Sequence, residues 1–80
     1  MIRVEVRLYA TLRKYSPETG IGEPLILQMS EGARLADALV RLGVPEGEVK
    51  TAFVNNRRQD EGYQLCDGDR VAFFPPVAGG

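Results

Sequence analysis

"ARLADALVRLG" (33–43) is where the chain changes its hydrophobic period. Leu35, Leu39 and Leu42 recur at helical spacing with Ala38 beside them, while Arg34, Asp37 and Arg41 face away. That spacing predicts one amphipathic helix. Gly43 followed by Pro45 stops it, since glycine accepts a left-handed cap and proline cannot continue the ladder. Ser30 is the nearest candidate N-cap, although the Glu of a capping box is replaced by Ala33.

On either side the period is two. In "IRVEVRLY" (2–9), Ile2, Val4, Val6 and Leu8 fall on one face and Arg3, Glu5, Arg7 and Tyr9 on the other. "RKYSPETGIGEP" (13–24) reads as a loop. Leu25, Leu27 and Met29 alternate in "LILQM", giving a second strand and, most simply, an antiparallel hairpin. Beyond the helix, "TAFVNNRRQ" (51–59) returns to strand. Its Asn55-Asn56 pair sits where a tight turn needs positive φ, which Asn tolerates next best after Gly. "RVAFF" (70–74) is the last strand, entered through an Asp67-Gly68-Asp69 turn. The order strand, strand, helix, strand, short hairpin partner, strand predicts an α+β fold. One main helix packs on a mixed sheet of four to five strands.

Eighty residues make a single domain, here residues 1–74 with an extended tail at 75–80. Ten basic and eleven acidic side chains leave a net charge of −1, which argues against nucleic acid as the main partner. One cysteine allows no internal disulfide. No apolar run approaches membrane-spanning length and the N-terminus lacks the shape of a signal peptide, so the expected location is the cytoplasm. The absence of histidine excludes imidazole triads, His-containing zinc sites and His proton shuttles.

The internal candidates each have a plainer reading. Cys66 is flanked by Leu65 and Asp67, and an acidic neighbour disfavours the thiolate; it is expected to be a small, buried or half-buried residue at a strand entry. Asp60, Glu61, Asp67 and Asp69 match no calcium loop and read as turn chemistry with a solvated acidic face. Arg57, Arg58, Arg13 and Lys14 read as solubilising, the last two edging a partner surface. Tyr9 and Tyr15 are too few for a base-stacking platform. No metal site or bound cofactor is expected.

The tail differs from these. Phe73 and Phe74 end a strand, so Phe73 packs inward while Phe74 faces out as a binding anchor. Pro75 and Pro76 stiffen the chain that follows. From Phe74 to Gly80 the chain can reach ~20 Å, and Val77, Ala78 and Gly79 bring a carboxylate on Gly80 to its tip. Glycine has no Cβ to clash with the walls of a narrow channel. An ionised carboxylate there can attack the α-phosphate of ATP, and a sulfur donor can displace AMP from the acyl-adenylate to leave a thiocarboxylate. No acid–base or nucleophilic side-chain set supports an independent enzyme.

"LCDGDRVAFFPPVAGG" (65–80) closely resembles the C-terminus of the MoaD family, the small subunits of molybdopterin synthase within the MoaD/ThiS ubiquitin-like sulfur carriers. "RLYATLRKY" (7–15) also resembles that family's first strand and turn. Asn56 stands where the family usually has Gly, and the loop from Ser16 to Glu23 is long and glycine-rich; neither touches the tail. The resemblance implies a ubiquitin-like β-grasp fold. It implies that a MoeB-like enzyme uses ATP to adenylate Gly80, that a persulfide donor leads to the thiocarboxylate, and that the tail enters a MoaE-like large subunit to build the molybdopterin dithiolene. Phe74, Pro75, Pro76, Val77, Ala78 and Gly79 would then guide and dock the tail. Related carriers serve tungsten-pterin, thiazole or amino-acid synthesis, and a ubiquitin-like modifier joined to lysines through Gly80 would share the adenylate. A plain interaction module with an inert tail is the remaining reading.

Overall fold

The structure, a computed structural model, describes residues 1–16 and 23–76. Five strands form one sheet: β1 (Ile2–Leu8), β2 (Leu25–Met29), β3 (Thr51–Val54), β4 (Arg57–Gln59) and β5 (Arg70–Phe74), in the order β2-β1-β5-β3-β4. The helix α1 (Leu35–Leu42) crosses one face. The sheet is mixed because β1 and β5 run parallel, with Val6 opposite Val71 and Leu8 opposite Phe73. The remaining neighbours are antiparallel, including the expected β1–β2 pair with Val4 opposite Leu27.

The two periods seen in the sequence generate this core. Ile2, Val4, Val6 and Leu8 on β1 are buried, as are Leu27 and Met29 on β2 and Val71 and Phe73 on β5. Against this floor α1 buries Leu35, Ala38 and Leu39, one stripe of a helix whose other side is wet. Gly43 ends α1 in the left-handed conformation at φ 74°, with its N–H donating to the Leu39 and Val40 carbonyls. Asn55 and Asn56 turn the β3–β4 hairpin at φ 53° and 69° as expected.

Two local expectations are corrected. The N-cap of α1 is Arg34 rather than Ser30, and the Asp37 carboxylate accepts its backbone N–H at 2.8 Å. The acid thus lies three residues into a helix that begins later than the serine suggested, where it also meets the positive end of the helix dipole. Residues 13–15, read as loop, belong to a 3-10 helix over Ala10–Tyr15 that buries Leu12 beneath the sheet end. One buried residue in six leaves no period to detect. Residues 17–22 of the expected loop lie outside the described residues.

This 3-10 helix is fastened to a second short one, Glu46–Glu48, that precedes β3. The Glu48 carboxylate accepts a hydrogen bond from the Tyr15 hydroxyl, and Lys14 Nζ lies 3.3 Å from its other oxygen. The Tyr15 hydrogen bond, with help from Lys14, holds the Glu48 carboxyl below its ordinary range, while Glu48 raises both Tyr15 and Lys14 above theirs. A carboxyl depressed in the folded state stabilises above its unfolded pKa, and that contribution disappears as pH falls through the folded value. Groups raised in the folded state stabilise below their unfolded values and lose that contribution as pH rises through the folded ones. The pH–stability profile of Glu48→Gln should therefore be flatter at both ends than the wild type's, as read by urea melts from below the ordinary carboxylate range to above the ordinary tyrosine and lysine range. Identical profiles would show that the three groups titrate independently.

Candidate functional site

The end of β5 is built from both sides. Because β5 lies between β1 and β3, the Phe73 carbonyl accepts the Tyr9 N–H at 3.2 Å and the Phe74 carbonyl accepts the Lys50 N–H at 2.9 Å. The chain is thus pinned by backbone hydrogen bonds up to the residue before Pro75. Pro75 is half-buried and Pro76 exposed. Val77, Ala78, Gly79 and Gly80 lie outside the described residues.

Strand parity separates the two phenylalanines as expected. Phe73 is fully buried in the core, and Phe74 is on the opposite face. Phe74 is not, however, an isolated anchor. Its ring stacks on Tyr9 at 4.6 Å between centroids with a 4° interplanar angle. Phe53 meets it edge-on at 5.7 Å and 87°. These geometries are the favourable offset and T-shaped arrangements of aromatic pairs. Tyr9 and Phe53 were missed as site residues because each is remote from Phe74 in sequence. The signal was parity: Tyr9 shares the outward face with Arg7, and Phe53 the outward face with Thr51. Beside the rings, Arg7, Arg70, Asn55 and Asn56 help line a surface cavity of about 260 Å³.

The start of β5 is anchored by the acidic turn. The Asp67 carboxylate accepts the Arg3 backbone N–H at 2.8 Å, and Gly68, at φ 87°, donates its N–H to the Arg3 carbonyl at 2.7 Å. Asp69 was expected on a solvated face but is only 6% exposed. Its oxygens accept Asn55 Nδ2 at 2.9 Å and the Cys66 N–H at 2.8 Å, and Asn55 Oδ1 accepts the Arg70 N–H at 3.0 Å. Tyr63 nearby has its phenol pKa raised, first by the Asp69 carboxylate and then by burial.

Cys66 is exposed, contrary to the buried or half-buried place expected for it. Leu65 takes the inward position instead. Asp60 is turn chemistry, with its carboxylate accepting the Gly62 N–H at 3.0 Å. Arg57 and Arg58 are exposed, whereas Lys14 is engaged by Glu48 rather than serving as a free solubilising charge. Among the described residues, no three His, Cys, Asp or Glu side chains group as metal ligands, and no helix is long and apolar enough to cross a membrane.

The profile of the ThiS family matches residues 6–80, nearly the whole chain. The chain belongs to the ThiS family. Its fold is a ubiquitin-like β-grasp, and solved structures bear the same architecture. A Pyrococcus furiosus protein described as a molybdopterin converting factor subunit 1 is 25% identical, with 96% of this chain and 100% of that one covered at a TM-score of 0.73. A chain in the complex of subunits 1 and 2 of the Helicobacter pylori molybdopterin-converting factor is 25% identical, with coverage of 99% and 100% and a TM-score of 0.62. Small archaeal modifier protein 1 of Haloferax volcanii shares the fold at a TM-score of 0.75, with 21% identity and coverage of 96% and 100%. No curated protein sequence matches significantly. This ThiS-family chain thus places an aromatic face and an anchored strand end where its tail begins.

Two stability effects follow from that placement. Phe73→Ala should cost about 3–5 kcal/mol as a core truncation, whereas Phe74→Ala should cost about 1 kcal/mol through its lost ring contacts. Equal losses in denaturant titrations would contradict the assigned faces. Asp69→Ala should cost about 2–3 kcal/mol because it strands the Asn55 amide and the Cys66 N–H. A loss below about 0.5 kcal/mol would show that water replaces the carboxylate freely.

Proposed function

We propose that this chain is a sulfur carrier, the small subunit of a molybdopterin synthase, that works through Gly80 and not through catalytic side chains. The carboxylate of Gly80 attacks the α-phosphate of ATP on a MoeB-like activating enzyme and expels pyrophosphate. A persulfide then attacks the acyl-adenylate and expels AMP, forming an acyl disulfide. A thiol cleaves that disulfide, so the thiol and the donor sulfur are left as a disulfide and Gly80 carries the thiocarboxylate. In a MoaE-like large subunit the thiocarboxylate sulfur bonds to a cyclic pterin precursor, and water then cleaves the acyl–sulfur bond, leaving one sulfur of the dithiolene on the pterin per visit and returning the carboxylate.

The observation that carries this reading is the family match running through the Gly79-Gly80 end. Two findings support it. The described chain hands its tail over at a strand end held from both sides, with the Tyr9–Phe74–Phe53 rings beside it as a docking face. One related structure is a complex of the two subunits of molybdopterin-converting factor. No bound cofactor is required of this chain, since ATP is consumed on the activating partner, and the cytoplasm is where such partners would meet it.

The test is the intact mass of protein purified from its own host. A species heavier by the difference between one sulfur and one oxygen, absent when Gly80 is deleted, supports the carrier. An adduct on lysines through Gly80 would identify a ubiquitin-like modifier instead, and an unmodified carboxylate under all growth conditions would favour an inert module. For the pathway, thiocarboxylated protein is mixed with a MoaE-type subunit and the pterin precursor. Dithiolene formation is expected. No dithiolene, with sulfur transferred to thiazole or amino-acid synthesis, would keep the carrier and remove the molybdopterin role. Cys66→Ser should leave transfer near normal, whereas Gly79→Val should block adenylation; the opposite pattern would move the chemistry to the thiol.

A further inference from the structure

Among the described residues the sheet has two open edges, β2 and β4. An open edge presents unpaired N–H and C=O groups that can pair with another chain, and proteins suppress this with short strands and charge. β4 has both safeguards: it is three residues long and carries the exposed Arg57 and Arg58. β2 has neither. It is five residues long, its sequence is Leu25-Ile26-Leu27-Gln28-Met29, and Ile26 remains 39% exposed.

The register shows which groups of β2 face outward. On β1 the Arg3 N–H and C=O bond to Asp67 and Gly68, and the Glu5 N–H bonds to the Asp69 carbonyl, so the odd residues of β1 turn their backbone toward β5. The even residues therefore bond to β2, and their partners are Met29, Leu27 and Leu25. The backbone groups of Ile26 and Gln28 point the other way, to the open edge. The Gln28 carbonyl is occupied. Arg41, in the last turn of α1, donates from Nη1 to the Gln28 carbonyl at 2.9 Å.

We propose that Arg41 is the guard of the β2 edge, preventing antiparallel pairing of β2 with β2 of a second copy. The guanidinium occupies one of the strand's two outward acceptors, the Gln28 carbonyl, and lays a positive charge where an incoming strand would lie. In a two-fold pair both copies would bring this charge to the same seam, so the repulsion acts twice. The hydrogen bond alone would serve equally as a tie between helix and sheet, and the experiment separates the two roles.

Wild-type protein, Arg41→Met and Arg41→Gln are compared by light scattering and sedimentation over a wide concentration range. Met keeps the aliphatic stem, and the shorter Gln provides a second way of removing the guanidinium. The wild type should stay monomeric. The variants should rise about two-fold in weight-average mass, the value for a two-fold dimer. Adding Ile26→Lys, or Gln28→Pro, which removes an outward N–H and none of the N–H groups that face β1, should return them to monomer. Variants that melt lower but stay monomeric would reduce Arg41 to a tie and overturn the proposal. Association that survives both second-site changes would place the contact elsewhere and overturn it as well.

Discussion

The parallel pairing of β1 with β5 is the constraint on which the rest of the molecule depends. It puts the last strand in the middle of the sheet, with Val71 and Phe73 against Val6 and Leu8. A parallel neighbour cannot be reached by a tight turn, so the chain must cross the sheet between them, and α1 lies in that crossing with its apolar stripe against the core. A central strand also has a neighbour on each side at its end. This is why Phe74 has Tyr9 as one ring partner and Phe53 as another, and why its last carbonyls are held by Tyr9 and Lys50. On an edge strand the same residues would have had one neighbour and a loose root.

The two ends of β5 are secured by different physics. At its start, the buried Asp69 carboxylate is acceptable because backbone and amide donors surround it, with Asn55 coupling the β3–β4 turn to the strand entry. At its finish, the hold is aromatic area and backbone hydrogen bonds. The Glu48–Tyr15–Lys14 contact joins the segment after β1 to the one before β3, the two strands that flank β5. It therefore limits how far the neighbours of the strand end can part.

The elements that were legible in the sequence are those fixed by side-chain burial along a single segment. The alternation of Ile2 to Leu8 and the helical recurrence of Leu35 and Leu39 each record the water-to-core boundary, and both appear in the structure as written. The opposite faces of Phe73 and Phe74 follow from the same parity. What could not be read depends on contacts between distant segments. Nothing local in Asp69 marks it as buried: the Cys66 N–H is an ordinary turn donor, and the Asn55 amide that completes its shell comes from the β3–β4 turn. Cys66 is exposed because its neighbour Leu65 takes the inward position, a choice that the dipeptide alone does not reveal. Ser30 resembled a cap, yet Arg34 caps, since Asp37 and not Ala33 lies at the correct distance into the helix.

The division of labour within the chain also follows from its side chains. A protein this small has little core to spare, and here one large aromatic, Phe73, is spent entirely on the core at the point where its neighbour turns outward. The outward ring is stabilised by other rings, so it can remain half-covered without an isolated apolar surface of its own. A partner that buried this cluster would extend packing already present and order few new rotamers, which lowers the entropic cost of association. Under the proposed carrier role that matters more than raw affinity, because the same tail must be surrendered by one partner before the next can use it. In that role a preformed aromatic face would give recognition at low ordering cost, and the proposed reacting group, a backbone carboxylate, would demand nothing from the core that holds the face in place.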